Sequence, residues 1–76
     1  MLRRINLPDM IDRACTYTWT IEVEGTKVKT AGLIGTTRTA MMFKTIHEKI
    51  YTVIWVEDQA TGELREVFAN TVKFIS

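Results

Sequence analysis

The stretch CTYTWTIEVE, residues 15–24, alternates without a break between apolar and polar side chains, and it decides the fold class. The apolar side chains, from Cys15 to Val23, point to one face, while the threonine and glutamate side chains point to the other. An alternation of period two is typical of a strand with one buried face. The sequence therefore predicts a β-strand, and Gly25 is expected to turn the chain into a second strand, KVKTAGLIG.

A later stretch, IYTVIWVED (residues 50–58), has apolar side chains on both faces. Tyr51, Val53 and Trp55 fall on one face, and two aliphatic side chains fall on the other. A strand covered on both sides in so small a protein indicates a sheet wall that a neighbouring molecule also covers. We therefore expect a homo-oligomer whose interface contains Tyr51, Val53 and Trp55, since pairing of copies also removes exposed strand edges.

Residues 38–49 permit two interpretations. Their apolar side chains share one side of a helical wheel. Their threonines are β-branched, however, and no polar partner follows them at the spacing of a helix cap. We therefore favour strand and predict an all-β fold that LREVF and TVKFI complete. The alternative is an α+β fold of ββαββ order with residues 38–49 helical.

The amino-terminal stretch NLPDMIDRA, residues 6–14, is predicted to be a short helix. Asn6 can cap it, and Pro8 and Asp9 suit its first turn. So short a helix is unstable alone and is expected to dock on an apolar surface.

Composition indicates one folded domain over residues 1–76, because 46% of the residues are hydrophobic and the net charge is +1. That charge does not by itself require a nucleic-acid partner. The single Cys15 cannot form an internal disulfide, so we expect a cytoplasmic protein. No stretch has the length of a membrane span or the pattern of a signal peptide.

No catalytic constellation is recognisable, so we predict a protein that is not an enzyme and that uses no cofactor. His47 has no second ligand at metal-binding spacing, so no metal site is expected. Cys15 lies on the apolar strand face, where a thiol is usually a small core residue. The acidic residues around the turn QATG, Glu57 to Glu66, are interpreted as solvated loop charge.

The basic residues of the first half offer a binding surface. Lys27, Lys29, Arg38 and Lys44 are the candidates for contact with phosphates. With Tyr17, Trp19 or Phe68 exposed beside them, they would form a surface that both stacks bases and neutralises phosphates; the alternative is that these aromatic side chains belong to the core.

The closing stretch VFANTVKFI, residues 67–75, resembles the second motif of the Sm-like family, whose usual wording is close to I-R-G-N-N-I-R-Y-I. The residues that match by identity or chemical type are Val67, Asn70, Val72, Lys73, Phe74 and Ile75. The spacing of the first motif is found at Gly32, Ile34, Met41 and Phe43. The resemblance implies a small SH3-like barrel of five strongly bent strands behind a short amino-terminal helix. Barrels of the KOW type, with a turn similar to GLIGT, are the alternative.

The sequence departs from the Sm-like pattern at the RNA pocket. Arg38 stands where the family has Asp, Met42 where it has Asn, and Phe68-Ala69 where it has Arg-Gly. In Sm-like proteins these positions stack and hydrogen-bond an RNA base, and only Asn70 is retained here. The resemblance therefore implies RNA binding mainly through backbone contacts, with Phe68 and Asn70 at the site.

Two classes of function remain open. The first is a non-catalytic module that associates with nucleic acid, above all RNA. The second is a small protein-binding adaptor or inhibitor, which captures its partner on a barrel face or by strand addition to a sheet edge.

Overall fold

The computed structural model describes residues 11–75, and these residues form an all-β chain. In chain order the strands are β1 (Ala14–Val23), β2 (Thr26–Thr37), β3 (Met42–Ile46), β4 (Lys49–Asp58), β5 (Leu64–Phe68) and β6 (Lys73–Phe74). They form one antiparallel sheet in the order β3-β4-β2-β1-β6, and β5 pairs with the remaining edge of β4. The all-β prediction is confirmed, with the strands paired as an open sheet.

The segment with two interpretations is a strand. β3 pairs with β4 from Met42 opposite Val53 to Ile46 opposite Lys49. The hydrogen bonds between β3 and β4 satisfy the backbone polar groups of this segment. Its β-branched side chains are also accommodated better in a sheet than in a helix. The alternative ββαββ fold, with residues 38–49 helical, is therefore wrong.

The turn between β3 and β4 holds two non-glycine residues in the left-handed region. His47 has a φ of 50° and Glu48 a φ of 65°. Positive φ at both central residues is the geometry of a type I′ hairpin turn, which normally uses asparagine and glycine. This hairpin therefore closes with strained residues at its tip.

The predicted amino-terminal helix falls mostly on residues that the structure does not describe. Residues 6–10 lie outside the described part of the chain. Residues 11–13 have no helical conformation, and Ala14 already begins β1.

The closing stretch is not one continuous strand. β5 ends at Phe68, a single 3₁₀ turn covers Ala69–Thr71, and only Lys73–Phe74 pair with the start of β1. The Thr71 hydroxyl donates a hydrogen bond to the Phe68 carbonyl oxygen at 2.8 Å, which holds the chain in this turn. The prediction that TVKFI is a strand is correct only for Lys73–Phe74, because local side-chain bonding of threonine competes with the ladder.

The core lies between β1, β4 and β5. Its buried side chains are Cys15, Tyr17, Ile54, Val56, Val67 and Ala69. Gly35 allows β2 to lie directly against β4 there: a Cβ at this position would come within 2.5 Å of Val56 Cγ1 and 2.6 Å of the Glu57 carbonyl oxygen. A glycine at this crossing is therefore a packing requirement.

The β1–β2 hairpin extends well beyond this core. A β-bulge separates the pair Tyr17–Leu33 from the pair Trp19–Thr30. There β2 has two residues opposite one residue of β1, and one of the two is Gly32, with a φ of 72°. Past the bulge, every residue from 21 to 30 is exposed. We call residues 21–30 the arm, and it contributes to an elongated shape of 52 × 33 × 16 Å.

Candidate functional site

An open cleft of about 500 Å³ lies alongside the β1–β2 hairpin, and we call it the basic cleft. On the hairpin side it is lined by Thr18, Thr20, Lys27 and Lys29. On the other side it is lined by Ile46, His47, Tyr51, Phe68, Asn70 and Thr71. The alternation of β1 puts the two threonines on one face, and the register Thr20 opposite Lys29 brings the lysines beside them.

Four of the six residues predicted to bind a ligand meet in this cleft. Lys27 and Lys29 come from the arm, Phe68 from the end of β5, and Asn70 from the 3₁₀ turn. They are far apart in sequence and are brought together because the hairpin lies beside the end of β5. The basic cleft is therefore the surface on which four of the predicted residues lie together.

Two aromatic rings stand on the cleft wall. The rings of Tyr51 and Phe68 are 5.4 Å apart between centroids and inclined at 46°. Both side chains are exposed, although each contacts the other. Exposed rings held by a tilted aromatic contact offer a planar, apolar surface to a ligand without further ordering.

The lysines of the cleft form no ion pair with another described residue. Among residues 11–75, neither Lys27 nor Lys29 has an acidic group within ion-pair distance, although Glu22 is the cross-strand neighbour of Lys27. Glu66 lines an adjoining cavity of about 270 Å³, and its carboxylate is 2.5 Å from the Lys44 ammonium. Because Glu66 is already paired with Lys44, the two lysines give the basic cleft a positive charge that would attract an anion.

Arg38 and Lys44, the other two predicted cations, do not line the basic cleft. Arg38 Nη1 lies 2.6 Å from Asp12 Oδ1, and its Nε lies 3.4 Å from Glu57 Oε1. The hydrogen bond that the Arg38 guanidinium donates to Asp12 raises the pKa of Arg38 further, and the bond that it donates to Glu57 adds to this rise. Both predicted cations therefore serve intramolecular ion pairs.

The three residues predicted for an oligomer interface have different surroundings. Tyr51 faces the basic cleft, whereas Val53 is only 3% exposed. Trp55 is partly buried, and its backbone N–H donates to Thr39 Oγ1 at 3.1 Å. A partner on this face would therefore contact Tyr51 and the edge of Trp55 and would not reach Val53.

Several cleft residues were not singled out from the sequence as a site. Thr18, Thr20 and Thr71 contribute hydroxyl groups, and His47 stands at the strained β3–β4 turn. The polar face of CTYTWTIEVE was visible in the sequence. Nothing in the sequence indicated that the 3₁₀ turn would bring Thr71 and Asn70 opposite it.

A second polar cluster is buried and joins β1, β4 and β5. The Tyr17 hydroxyl donates to Asp58 Oδ1, and Arg65 Nη1 donates to the Tyr17 oxygen at 3.0 Å. Asp58 Oδ2 accepts the backbone N–H groups of Ala60 and Thr61, both at 3.0 Å. Asp58 is 3% exposed, so its interpretation as solvated loop charge is wrong.

The electrostatics of this cluster indicate a structural role. The hydrogen bond from Tyr17 lowers the pKa of Asp58, and burial raises the pKa of Tyr17 to about 12 with help from the bond to Asp58. Arg65 completes the charge balance and packs over the Trp19 ring at 5.1 Å. An ionised carboxylate that accepts hydrogen bonds from β1 and from the turn itself, with Arg65 of β5 at ion-pair distance, fixes the β4–β5 turn.

Neither covalent nor metal chemistry is supported in the described region. Cys15 is fully buried, and burial raises the pKa of its thiol, which disfavours the nucleophilic thiolate. Within residues 11–75, no three His, Cys, Asp or Glu side chains converge in a way that could hold a metal ion.

The described residues contain no helix with the length and apolarity needed to cross a membrane.

Comparisons of the chain with protein-family models, with curated proteins and with solved structures found no match. The resemblance to the Sm-like family therefore stays a prediction.

Proposed function

We propose that this protein is a non-catalytic binding module that takes up single-stranded RNA in the basic cleft. The observation that supports this most strongly is one open cleft in which two lysines, without an ion-pair partner among residues 11–75, stand opposite two exposed aromatic rings. Phosphates need cations and bases need flat apolar surfaces, so this combination matches a single strand whose bases are unstacked.

Each wall of the cleft has a distinct role in this proposal. Lys27 and Lys29 contact phosphates, and the rings of Tyr51 and Phe68 stack on bases. Asn70 and Thr71 supply hydrogen-bonding groups at the end of the same cleft, where they can reach base edges or the 2′-hydroxyl. Because most of the affinity comes from charge and stacking, binding tolerates changes of sequence and weakens steeply with salt.

We also infer that the sheet closes into a small SH3-like barrel. The closure is supported by side-chain contacts from β1 to β5, namely Arg65 with the Tyr17 hydroxyl and with the Trp19 ring. Pairing of β6 with the start of β1 adds to it, because the 3₁₀ turn carries the chain directly from β5 to that edge. Closure would protect strand edges that an open sheet exposes.

A protein-binding function is the second candidate, and one observation favours it. β3 ends the sheet and pairs only with β4 among the described strands, and its Phe43 is 81% exposed. An extended peptide could add to this edge and bury the Phe43 ring. This candidate does not use the basic cleft.

The test of the primary proposal is titration of fluorescently labelled single-stranded oligouridine with the protein, followed by anisotropy at low salt. We expect saturable binding of the single strand. Double-stranded RNA of equal length should be a poor competitor. Absence of binding at low salt would eliminate the RNA proposal and leave the edge of β3 as the candidate surface.

A further inference from the structure

The arm is a two-stranded ribbon whose apolar face is uncovered. Ile21 and Val28 are cross-strand partners, and each is 42% exposed, while Val23 on the same face is also exposed. A two-stranded hairpin alone is marginally stable in water, and stability normally requires a third strand or a packed layer. The arm therefore needs a covering element that the described residues do not provide.

The open edge of β1 is a place where a third strand can pair with the arm. Within the described residues, β6 pairs with β1 only at Cys15 and Thr16, so this edge of β1 has no strand partner beyond Thr16. The Thr18 N–H points to this side, because it donates to Thr71 Oγ1 at 3.4 Å. Peptide groups of alternate residues point to the same edge, so Thr20 and Glu22 direct their N–H and C=O groups outwards there.

We propose that two copies of this chain associate through this edge, with β1 of one copy antiparallel to β1 of the other and the two-fold axis at Ile21. Thr20 of each copy then lies opposite Glu22 of its partner, and these residues exchange the two outward pairs of backbone hydrogen bonds. The two arms become a four-stranded sheet with a continuous apolar face around Ile21.

The charge pattern selects β1 over β2 for this pairing. We call the proposed pairing of the two β1 strands the β1 seam. In this seam each Glu22 lies opposite a neutral threonine of the other copy and has Lys27 as its neighbour within the same arm. An equivalent seam of β2 strands centred on Val28 would place Lys27 opposite Lys29 twice, and directly opposed like charges are destabilising. The β1 seam also leaves both lysines of each arm at the outer edge. This inference is argued from the arm alone and does not rest on the RNA proposal, although Thr20 takes part in both, through its backbone in the seam and through its side chain in the basic cleft.

A matched pair of cysteine variants tests the seam. Ile21→Cys places two thiols directly opposite each other across the two-fold axis, at a separation that a disulfide can bridge. Val28→Cys has the same exposure on the same face but lies one strand away from the seam. Under mild oxidation, Ile21→Cys should form a covalent dimer rapidly and Val28→Cys should form little, while the buried Cys15 supplies no competing thiol.

Sedimentation of the unmodified chain gives an independent measurement. A monomer–dimer equilibrium at tens of micromolar is expected, with Ile21→Arg monomeric and Val28→Arg still dimeric. A chain that stays monomeric throughout would overturn the proposal and direct attention to an extended peptide as the added strand. Equal cross-linking of both cysteine variants, or equal loss of the dimer in both arginine variants, would overturn it in favour of face-to-face packing.

Discussion

The Tyr17 hydroxyl donates a hydrogen bond to the buried carboxylate of Asp58, 41 residues later in the chain, and thereby joins the middle of β1 to the end of β4. The same carboxylate caps the turn that leads into β5. One polar contact therefore connects the core to the β4–β5 hairpin, next to the strands that form the basic cleft.

This contact predicts a specific loss of stability in alkali. Burial, followed by the bond to Asp58, raises the pKa of Tyr17 from its ordinary 10.0 to about 12. A group whose pKa is raised on folding stabilises the fold fully below its unfolded pKa, and that contribution is lost as the pH rises through the folded pKa. A shift of this size corresponds to roughly 3 kcal/mol. Stability should therefore fall between about pH 10 and pH 12.

Circular dichroism and ultraviolet absorbance across this range provide the measurement, because the chain has only two tyrosines. The tyrosinate signal of Tyr17 should appear together with unfolding. Tyr17→Phe should lack this signal and should be less stable at neutral pH by about 1–3 kcal/mol, since it leaves buried polar groups without a partner. Ionisation of Tyr17 with the ordinary tyrosine pKa of 10.0 while the fold stays intact would contradict the assignment.

The strained turn between β3 and β4 predicts a stabilising substitution. Glu48 has a φ of 65°, which costs a residue with a Cβ about 1–2 kcal/mol relative to the right-handed region. Glycine avoids that cost but loses about 0.5–1 kcal/mol of chain entropy on folding. Glu48→Gly should therefore stabilise the protein by about 0.5–1 kcal/mol in urea denaturation. Glu48→Ala, which removes the charge and keeps the Cβ, should bring no gain; if both variants gain equally, charge and not backbone strain is responsible.

The alternation of CTYTWTIEVE was sufficient to predict β1, because a strand with one buried face shows a period-two pattern of apolar and polar residues in its own sequence. The strand LREVF was also predicted with its correct bounds. The 3₁₀ turn at Ala69–Thr71 was not predicted, because it depends on a bond from the Thr71 hydroxyl to a backbone carbonyl that has no periodic signal. Burial of Asp58 was missed for a similar reason, since its main partner, Tyr17, is remote in sequence.

The candidate site was predicted only in part. Lys27, Lys29, Phe68 and Asn70 were singled out and do meet in one cleft. Arg38 has the same charge as the two lysines, but Asp12 and Glu57 lie beside it. Which cations remain unpaired depends on the folded arrangement of the acidic residues, and composition does not contain that information.

The aromatic wall of the basic cleft predicts a selective loss of RNA affinity. Phe68→Ala should weaken binding of oligouridine by about 1–3 kcal/mol, the usual contribution of one stacked base. Phe43→Ala is the matched control, because Phe43 is more exposed but does not line the cleft. Anisotropy titrations of both variants provide the measurement. Equal losses would indicate that exposed apolar area in general, and not this cleft, binds the RNA.

The central claim is that Lys27 and Lys29 hold phosphates in the basic cleft, and a salt series tests it most directly. Affinity for labelled single-stranded oligouridine would be measured by anisotropy at increasing salt for the wild type, for Lys27→Gln with Lys29→Gln, and for Arg38→Gln. Each lost phosphate contact reduces the slope of log affinity against log salt by about 0.7. The double variant should therefore bind weakly, with a slope lower by about 1.4, whereas Arg38→Gln should match the wild type. An unchanged slope in the double variant, or an equal loss in Arg38→Gln, would contradict the account.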